Sequence, residues 1–168
     1  MAQTLCAAGE LAACAGTVTR TAPAPAVVLD TNIVLDVFVF ADAAAVPLRA
    51  VLEAGKLRWI ATRAMRVELA RVLDYPQIVP RLAFYCLTAA NVLAAFDHHA
   101  TQVPPAPRAP VRCSDPDDQI FIDLAVTHRC PLLSKDRAVL ALKKRLAPLG
   151  VLAACAFDAP TLAGFTPG

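Results

Sequence analysis

Short apolar runs alternate with longer segments of helical periodicity along this chain of 168 residues. Four apolar runs predict buried strands: AVVLD (26–30), LRWIA (57–61), PLLS (131–134) and VLAACAF (151–157). Apolar residues between and after them recur at helical spacing and predict helices at 46–54, 62–73, 81–96, 115–127 and 136–146. Strands that alternate with helices predict an α/β fold of three layers, in which a central parallel sheet has helices on both faces.

Proline and glycine mark the predicted boundaries. Gly55 and Gly150 follow predicted helices, and the proline-rich segment 102–110 predicts a loop beside a short strand. Residues 1–25 are rich in alanine, end in TAPAPA and show no amphipathic stripe, so we expect a poorly ordered or loosely docked tail. Residues 26–165 then form one domain, long enough to bury a core.

The composition is apolar, with 57% hydrophobic residues and a mean hydropathy of +0.53. No segment reaches the length of a bilayer span, however, and the long apolar stretch 82–96 contains Thr88 and Asn91, which suits a buried helix better. The N-terminus has no basic start, and Glu10 interrupts its apolar run, so it is a poor signal peptide. We therefore expect a cytoplasmic protein without a membrane anchor. The six cysteines form no CxxC pair, and we expect reduced core residues.

The distribution of charge is more informative than its sum of +2. Seven of the aspartates fall in three short segments: Asp30, Asp36, Asp115, Asp117, Asp118, Asp123 and Asp136. The basic residues lie mostly elsewhere: Arg63, Arg66, Arg71, Arg108, Arg112, Lys143, Lys144 and Arg145. A mildly basic surface around a concentrated acidic site suits a metal-using nucleic-acid enzyme, because flanking cations attract phosphate. Scattered solvated charge remains the alternative for any one basic residue.

Three acids are predicted to approach the same region. Asp30 ends the first strand and Asp136 follows the third, so both belong at the edge of the sheet where parallel strands have their carboxyl ends. Glu68 falls at the border of the apolar stripe formed by Met65, Leu69 and Val72. A glutamate at the margin of a core needs a polar partner.

The segment SDPDDQIFIDLA (114–125) has two interpretations. Asp115 is a suitable N-cap, Pro116 suits the first helical position, and acids stabilise a helix start, so capping alone could explain the motif. Asp118, however, aligns with Phe121, Ile122 and Ala125 on the predicted inward side, which capping does not require. We expect Asp115 to share its direction, and Asp123 to lie on the polar side with Gln119 and Thr127.

Carboxylates that converge at one sheet edge repel each other unless they share a proton or bind a divalent cation. Oxygen ligands without histidine or cysteine favour Mg²⁺ or Mn²⁺ over Zn²⁺. Such an ion polarises a phosphoryl oxygen and lowers the pKa of a bound water, which suits the hydrolysis of phosphodiesters. We predict that Asp30, Glu68 and Asp136 hold one ion, and that Asp118, assisted by Asp115, holds a second or orients the attacking water.

Four segments in this order resemble a PIN domain: AVVLDTNIVLD, the helix with Glu68, SDPDDQIFIDLA and LLSKDRAVL. The likeness covers roughly residues 26 to 165 and is greatest to a bacterial branch described as toxins of toxin–antitoxin pairs. It implies a ribonuclease that uses one or two Mg²⁺ or Mn²⁺ ions, with a small antitoxin as partner and a possible homodimer. The family's acids correspond to Asp30, Glu68, Asp118 and Asp136, with Asp115 as an extra member; its small polar residues correspond to Thr31 or Asn32 and to Ser134.

Other functions compete with this hypothesis. VVLDTN also resembles the nucleophile motif of haloacid-dehalogenase-type phosphatases, but that chemistry needs a second aspartate where Asn32 stands. A receiver-like phosphoacceptor module needs a double acid on the first strand, and Asp30 stands alone there. A PIN domain that binds RNA or an antitoxin without cleaving is the third alternative, although all four core acids are intact.

Overall fold

A single parallel sheet organises the computed structural model, which describes residues 23–158. Its strands are β1 (Ala26–Leu29), β2 (Arg58–Ala61), β3 (Ala100–Gln102), β4 (Leu132–Leu133) and β5 (Ala153–Ala154). The strand order is β3-β2-β1-β4-β5, and every neighbouring pair is parallel. Helices surround this sheet, so the predicted three-layer α/β/α fold is confirmed. Residues 1–22 and 159–165, which the predicted tail and domain include, lie outside the described residues.

Eight helices lie within the described part of the chain: α1 (Thr31–Phe38), α2 (Val46–Glu53), α3 (Arg63–Leu73), α4 (Val79–Phe84), α5 (Ala89–His99), α6 (Gln119–His128), α7 (Arg137–Leu140) and α8 (Lys143–Leu146). The helices predicted at 46–54 and 62–73 are confirmed to within one residue at each end. The sequence patterns did not predict α1, because its apolar residues continue the apolar run of β1 with only Asp30 between them.

Three predicted elements are wrong in extent, in addition to the helix predicted from residue 115, which is described with the site below. The helix expected at 81–96 is two helices, because Cys86 has a φ of 53° and Thr88 starts α5 with a capping box that pairs it with Asn91. The helix expected at 136–146 is divided into the short helices α7 and α8. The strand expected at 151–157 is reduced to β5, which has two residues. The first error arose because the apolar run continues through the break in backbone geometry at Cys86.

The core lies against the strands. Val27, Val28 and Ile60 are fully buried, and Trp59 packs edge to face against Phe96 with ring centroids 4.7 Å apart. Burial of each large side chain stabilises the fold by about 1.5–3 kcal/mol. All four cysteines in the described part are free. The expected core role is confirmed for Cys130, and the half-buried Cys113 packs against the core, but the expectation is wrong for Cys86 and Cys155, which are exposed. No helix in the described ranges is long and apolar enough to cross a membrane.

The strand order creates a switch point. From β1 the chain moves outward to β2 and β3, then crosses back to place β4 on the other side of β1. The carboxyl ends of β1 and β4 therefore diverge toward connections that leave in opposite directions, which is where open α/β sheets form crevices. Asp30 follows β1, and Ser134, Lys135 and Asp136 follow β4.

Candidate functional site

Side chains from β1 and β4 meet at this switch point. Oδ2 of Asp30 accepts hydrogen bonds from the Ser134 hydroxyl and from Nδ2 of Asn32, the latter at 2.9 Å. Ser134 is fully buried, and its Oγ also accepts a hydrogen bond from the backbone N–H of Asp136 at 2.9 Å. Asp30 precedes α1 but makes no side-chain capping bond. Burial, opposed by these hydrogen bonds and assisted by the charge of Asp136, raises the pKa of Asp30.

Asn32 joins the two strand ends a second time. Its Oδ1 accepts a hydrogen bond from the backbone N–H of Lys135 at 3.0 Å, while its amide donates to Asp30. Asn32 and Ser134, both predicted as supporting polar residues, therefore orient the Asp30 carboxylate, the first from the start of α1 and the second from the segment after β4. The predicted convergence of Asp30 and Asp136 is consistent with these contacts, because Ser134 links the two residues.

Helix α3 brings Glu68 to the same region. Thr62 caps the helix by accepting from the N–H of Met65, and Oε1 of Glu68 accepts from the Thr31 hydroxyl at 3.2 Å. Burial raises the pKa of Glu68 to about 7; the Thr31 hydrogen bond and Arg71 oppose this shift, and the charges of Asp30 and Asp117 add to it. Glu68 therefore contacts the first turn of α1, one residue away from Asp30.

Asp118 is the most unusual carboxylate of the group. It lies at the N-cap of α6 but makes no side-chain capping bond, and its Oδ2 is buried without a hydrogen-bond partner in the described structure. Burial raises the pKa of Asp118 to about 7, and the charges of four other carboxylates add to this shift: Asp30, Asp136, Asp115 and Glu68. We call these five residues the acid cluster. A buried, unpaired carboxylate oxygen is costly, so capping does not explain Asp118.

The DPDD segment itself differs from the predicted helix start. Helix α6 begins at Gln119, four residues later than expected, and Asp115 is not its N-cap. Oδ1 of Asp115 instead accepts from the N–H of Asp117 at 2.9 Å, which closes a local turn, and Asp117 contacts Arg71 at 3.3 Å. Local hydrogen bonding thus accounts for Asp115, and an ion pair accounts for Asp117. Neither a local hydrogen bond nor an ion pair explains the placement of Asp118.

Gln119 and Asp123 correct a second expectation. Both were predicted on a polar helix side, but Gln119 is buried and donates from Nε2 to Oδ1 of Asp123 at 2.7 Å. Gln119 also contacts the backbone of Val111 and Cys113, and Asp123 accepts from the N–H of Ala109. These two side chains hold the preceding loop against α6. The alternation of apolar and polar residues could not show that the backbone of residues 109–113 covers this polar face of α6.

Lys135 has a role that the sequence did not indicate. Its ammonium lies 2.6 Å from Oδ2 of Asp36 and 3.1 Å from Oδ2 of Asp42. Asp36, one of the clustered aspartates in the sequence, is therefore neutralised by an ion pair and is not among the groups that raise the pKa of Asp118. The sequence signal for this ion pair was the position of Asp36 inside the apolar run VLDVF, because a buried carboxylate needs a positively charged or hydrogen-bonding partner.

The donor chemistry of the acid cluster fits a hard divalent cation. It offers only carboxylate oxygens, one of them buried and unpaired, and two of its members have a pKa of about 7, chiefly because they are buried and further because negative charge is concentrated there. Within residues 23–158, however, no three His, Cys, Asp or Glu side chains are arranged to hold an ion as they stand. The hydroxyl and amide donors on Asp30 both bind Oδ2, and the Thr31 hydroxyl binds Oε1 of Glu68, so these donors leave the second oxygen of each carboxylate available to an ion.

Comparison with known families agrees with the resemblance seen in the sequence. The model of a family described as PIN domain matches residues 26–138, which is more than half of the chain and includes the whole acid cluster. No curated protein matches the chain.

Proposed function

Since the chain belongs to the PIN-domain family, whose members are generally nucleases, we propose that it is a metal-dependent ribonuclease that hydrolyses RNA phosphodiesters. The observation that carries the proposal is the unpaired, buried Oδ2 of Asp118 in a cluster that also perturbs Glu68. Repulsion of this kind destabilises the protein unless a ligand compensates for it. A divalent cation is the ligand that both the donor set and the chemistry of phosphodiesters favour.

We assign the ion-binding role to Asp30, Glu68 and Asp136, and a second role to Asp118, which Asp115 assists. Mg²⁺ or Mn²⁺, when bound, polarises a phosphoryl oxygen and lowers the pKa of a water molecule. One or two ions per site are consistent with this number of carboxylates. Ser134 and Asn32 orient the Asp30 carboxylate, and Thr31 orients Glu68.

Asp118 is suited to accept a proton. A general base works best when its pKa lies near the operating pH, and the pKa of Asp118 is about 7. Its unpaired Oδ2 is free to accept a hydrogen bond from the attacking water, which leaves a 5′-phosphate on the product. In the alternative assignment Asp118 would instead hold a second ion, and both roles need a carboxylate oxygen without an internal hydrogen bond, as Oδ2 of Asp118 is.

The Asp30→Asn variant tests the proposal. We expect it to abolish cleavage of single-stranded RNA in Mg²⁺ or Mn²⁺ and to retain the fold, with equal or greater stability, since one charge leaves the cluster. Asp74→Asn is the matched control, because Asp74 is an exposed aspartate at the C-cap of α3. Cleavage at the wild-type rate by Asp30→Asn would overturn the proposal.

Two other results would replace it. A covalent phosphate on Asp30 after incubation with a phosphomonoester would favour the phosphatase hypothesis, although Asn32 is hydrogen-bonded to Asp30 where that mechanism needs an acid. RNA binding by the wild-type chain without cleavage in any divalent ion would favour a PIN domain that binds without cutting. The acid set argues against both outcomes.

A narrower proposal concerns the cellular role. The motif set resembles that of toxins paired with small antitoxins. We therefore propose that the chain is a cytoplasmic toxin that a small protein partner inhibits. A homodimer is compatible with this role. Expression of the chain alone should arrest growth, and co-expression with a small protein encoded next to it should relieve the arrest. Growth unaffected by an active nuclease would contradict the toxin role and leave the nuclease assignment intact.

A further inference from the structure

Two arginines near the acid cluster have no ion-pair partner among residues 23–158. Arg66 and Arg71 bind Asp97 and Asp117, and Lys135 binds two aspartates. Arg108 and Arg112 are exposed, and neither has an ion pair or a side-chain hydrogen bond within the described part of the chain. An unpaired guanidinium offers up to five donors to an incoming ligand without first breaking an internal contact.

The segment that carries these arginines is held firmly. Asp123 accepts from the N–H of Ala109 at 2.8 Å, and Gln119 donates to the carbonyl of Val111 at 3.1 Å. Gln119 also accepts from the N–H of Cys113 at 2.8 Å. Ala109 and Val111 are buried, so the alternate positions of this segment face inward. The other positions, with both arginines, are exposed, and the polar contacts fix their backbone before any ligand binds.

Gln119 also fixes where the arginines lie relative to the acid cluster. Arg112 stands between Val111 and Cys113, and both of these residues are hydrogen-bonded to the side chain that directly follows Asp118. Burial raises the pKa of the Cys113 thiol, and the charges of Asp118, Asp115 and Asp136 add to that shift, so the end of the segment lies beside the acids. Arg108 precedes Ala109, whose N–H donates to Asp123. Asp123 lies one helical turn after Gln119 on α6, so Arg108 is further from Asp118 than Arg112 is.

We propose that Arg108 and Arg112 form a phosphate-binding rail that holds the RNA strand next to the acid cluster. This inference rests on the proposed nuclease function and names the residues that contact its substrate. The two arginines are four positions apart on an irregular segment that bends at residues 110 and 111, and their long side chains allow the two guanidinium groups to contact separate phosphates of one strand. Because the backbone is already ordered, binding costs little loop entropy, and arginine can bind each phosphate in a bidentate manner. These are positioning residues, which do not touch the reacting atoms.

The test is the binding of a fluorescent single-stranded RNA to the full chain in EDTA, which prevents cleavage. We expect Arg108→Gln/Arg112→Gln to bind about 20-fold more weakly near 0.1 M salt, and the salt slope to fall by about 1.4, since each lost phosphate contact contributes about 0.7. Arg108→Lys/Arg112→Lys keeps the charge and should retain most of the slope. Melting temperatures should not change, because both side chains are exposed and unpaired.

The matched control is Lys56→Gln/Arg58→Gln. It removes two exposed positive charges at the amino end of β2, the opposite edge of the sheet from the acid cluster. We expect near wild-type binding from this control. If both double glutamine variants bind RNA equally weakly, the loss of affinity follows net charge and the rail is overturned. If neither variant binds RNA more weakly than the wild type, the arginines do not contact the RNA and the rail is overturned as well.

The failure of the rail and the failure of the proposed function give different results. If the wild-type chain binds RNA through these arginines but cleaves nothing in Mg²⁺ or Mn²⁺, the rail is supported and the nuclease function is not. If the chain cleaves RNA and the double glutamine variant has an unchanged KM, the nuclease function is supported and the rail is overturned. A raised KM with an unchanged kcat supports both.

Discussion

The Ser134 hydroxyl donates a hydrogen bond to the carboxylate of Asp30, which lies 104 positions earlier in the chain. The bond joins the ends of β1 and β4 on the two sides of the switch point. Since Ser134 Oγ also accepts from the N–H of Asp136, one buried hydroxyl organises two members of the acid cluster. The topology brings these residues together, and Ser134 determines which oxygen of Asp30 remains available.

We expect Ser134→Ala to lower the free energy of unfolding by about 1–3 kcal/mol, because the buried Oδ2 of Asp30 loses one of its two donors and the N–H of Asp136 loses its acceptor. The Ser134 hydrogen bond lowers the pKa of Asp30, so its loss should raise that pKa and move the acidic limb of the pH–rate profile to higher pH. Urea denaturation and pH–rate profiles measure the two effects. Ser114→Ala, at an exposed serine, is the control. An unchanged profile would show that Asp30 does not titrate in the reaction.

A comparison of neighbouring aspartates separates capping from chemistry at the DPDD segment. We expect Asp118→Asn to lower kcat at least about 100-fold, because it removes a near-neutral base or an ion ligand. Asp117→Asn should change kcat less than about threefold, since Asp117 is exposed and binds Arg71 through a weak surface pair. Single-turnover cleavage of RNA measures both rates. Equal decreases of kcat in the two variants would show that the DPDD segment has a purely structural role.

The stability of the metal-free protein should fall as pH rises from about 4 to about 7. The pKa of Glu68 and of Asp118 is about 7 in the folded protein, above the ordinary values of 4.5 and 3.8, so the folded state binds more protons than the unfolded state in this window. Protonation therefore stabilises the fold at acidic pH, and this contribution is lost as the two groups ionise. After allowance for solvent screening we expect a loss of about 2 kcal/mol, or about 5 °C in Tm.

Differential scanning fluorimetry in EDTA across this pH range measures the effect. The charges that face the two groups come from the acid cluster itself, from Asp117 and from Arg71. Asp118→Asn should flatten the curve, and Asp74→Asn should not. Mg²⁺ or Mn²⁺ should raise the Tm more at pH 8 than at pH 5, because the ion binds ionised carboxylates. A Tm that is independent of the ion at pH 8 would contradict the proposed metal site.

The alternation of strands and helices predicted the architecture because buried parallel strands are nearly continuous apolar runs. It failed at α1, where strand and helix form one apolar stretch with only Asp30 between them. It failed again at Cys86 and Thr88, because a single residue with positive φ divides a helical pattern without interrupting its apolar residues. Periodicity reports burial, and burial alone does not locate a break in backbone geometry.

The acid cluster was predictable in part because residues after parallel strands share one edge of the sheet. That argument predicted Asp30 and Asp136, and helical spacing added Glu68 and Asp118. The partners of these acids were not predictable from spacing, since the donation of Thr31 to Glu68 depends on how α1 packs on α3. Gln119 was assigned to a polar surface, because nothing in the sequence shows that backbone amides of the loop would cover it.

The ion pair between Lys135 and Asp36 provides the last prediction. Lys135→Met should lower the free energy of unfolding by about 3 kcal/mol, since the Asp36 carboxylate, 12% exposed, loses its close counter-charge. Asp42→Asn should cost less than about 1 kcal/mol, because the second pair is longer and more exposed. Lys135→Met/Asp36→Asn should recover most of the loss, since the unpaired charge is then absent. Urea denaturation of the wild type, Lys135→Met, Asp36→Asn and the double variant completes the cycle. A double variant no more stable than Lys135→Met would show that the lysine stabilises the fold by packing instead of by charge.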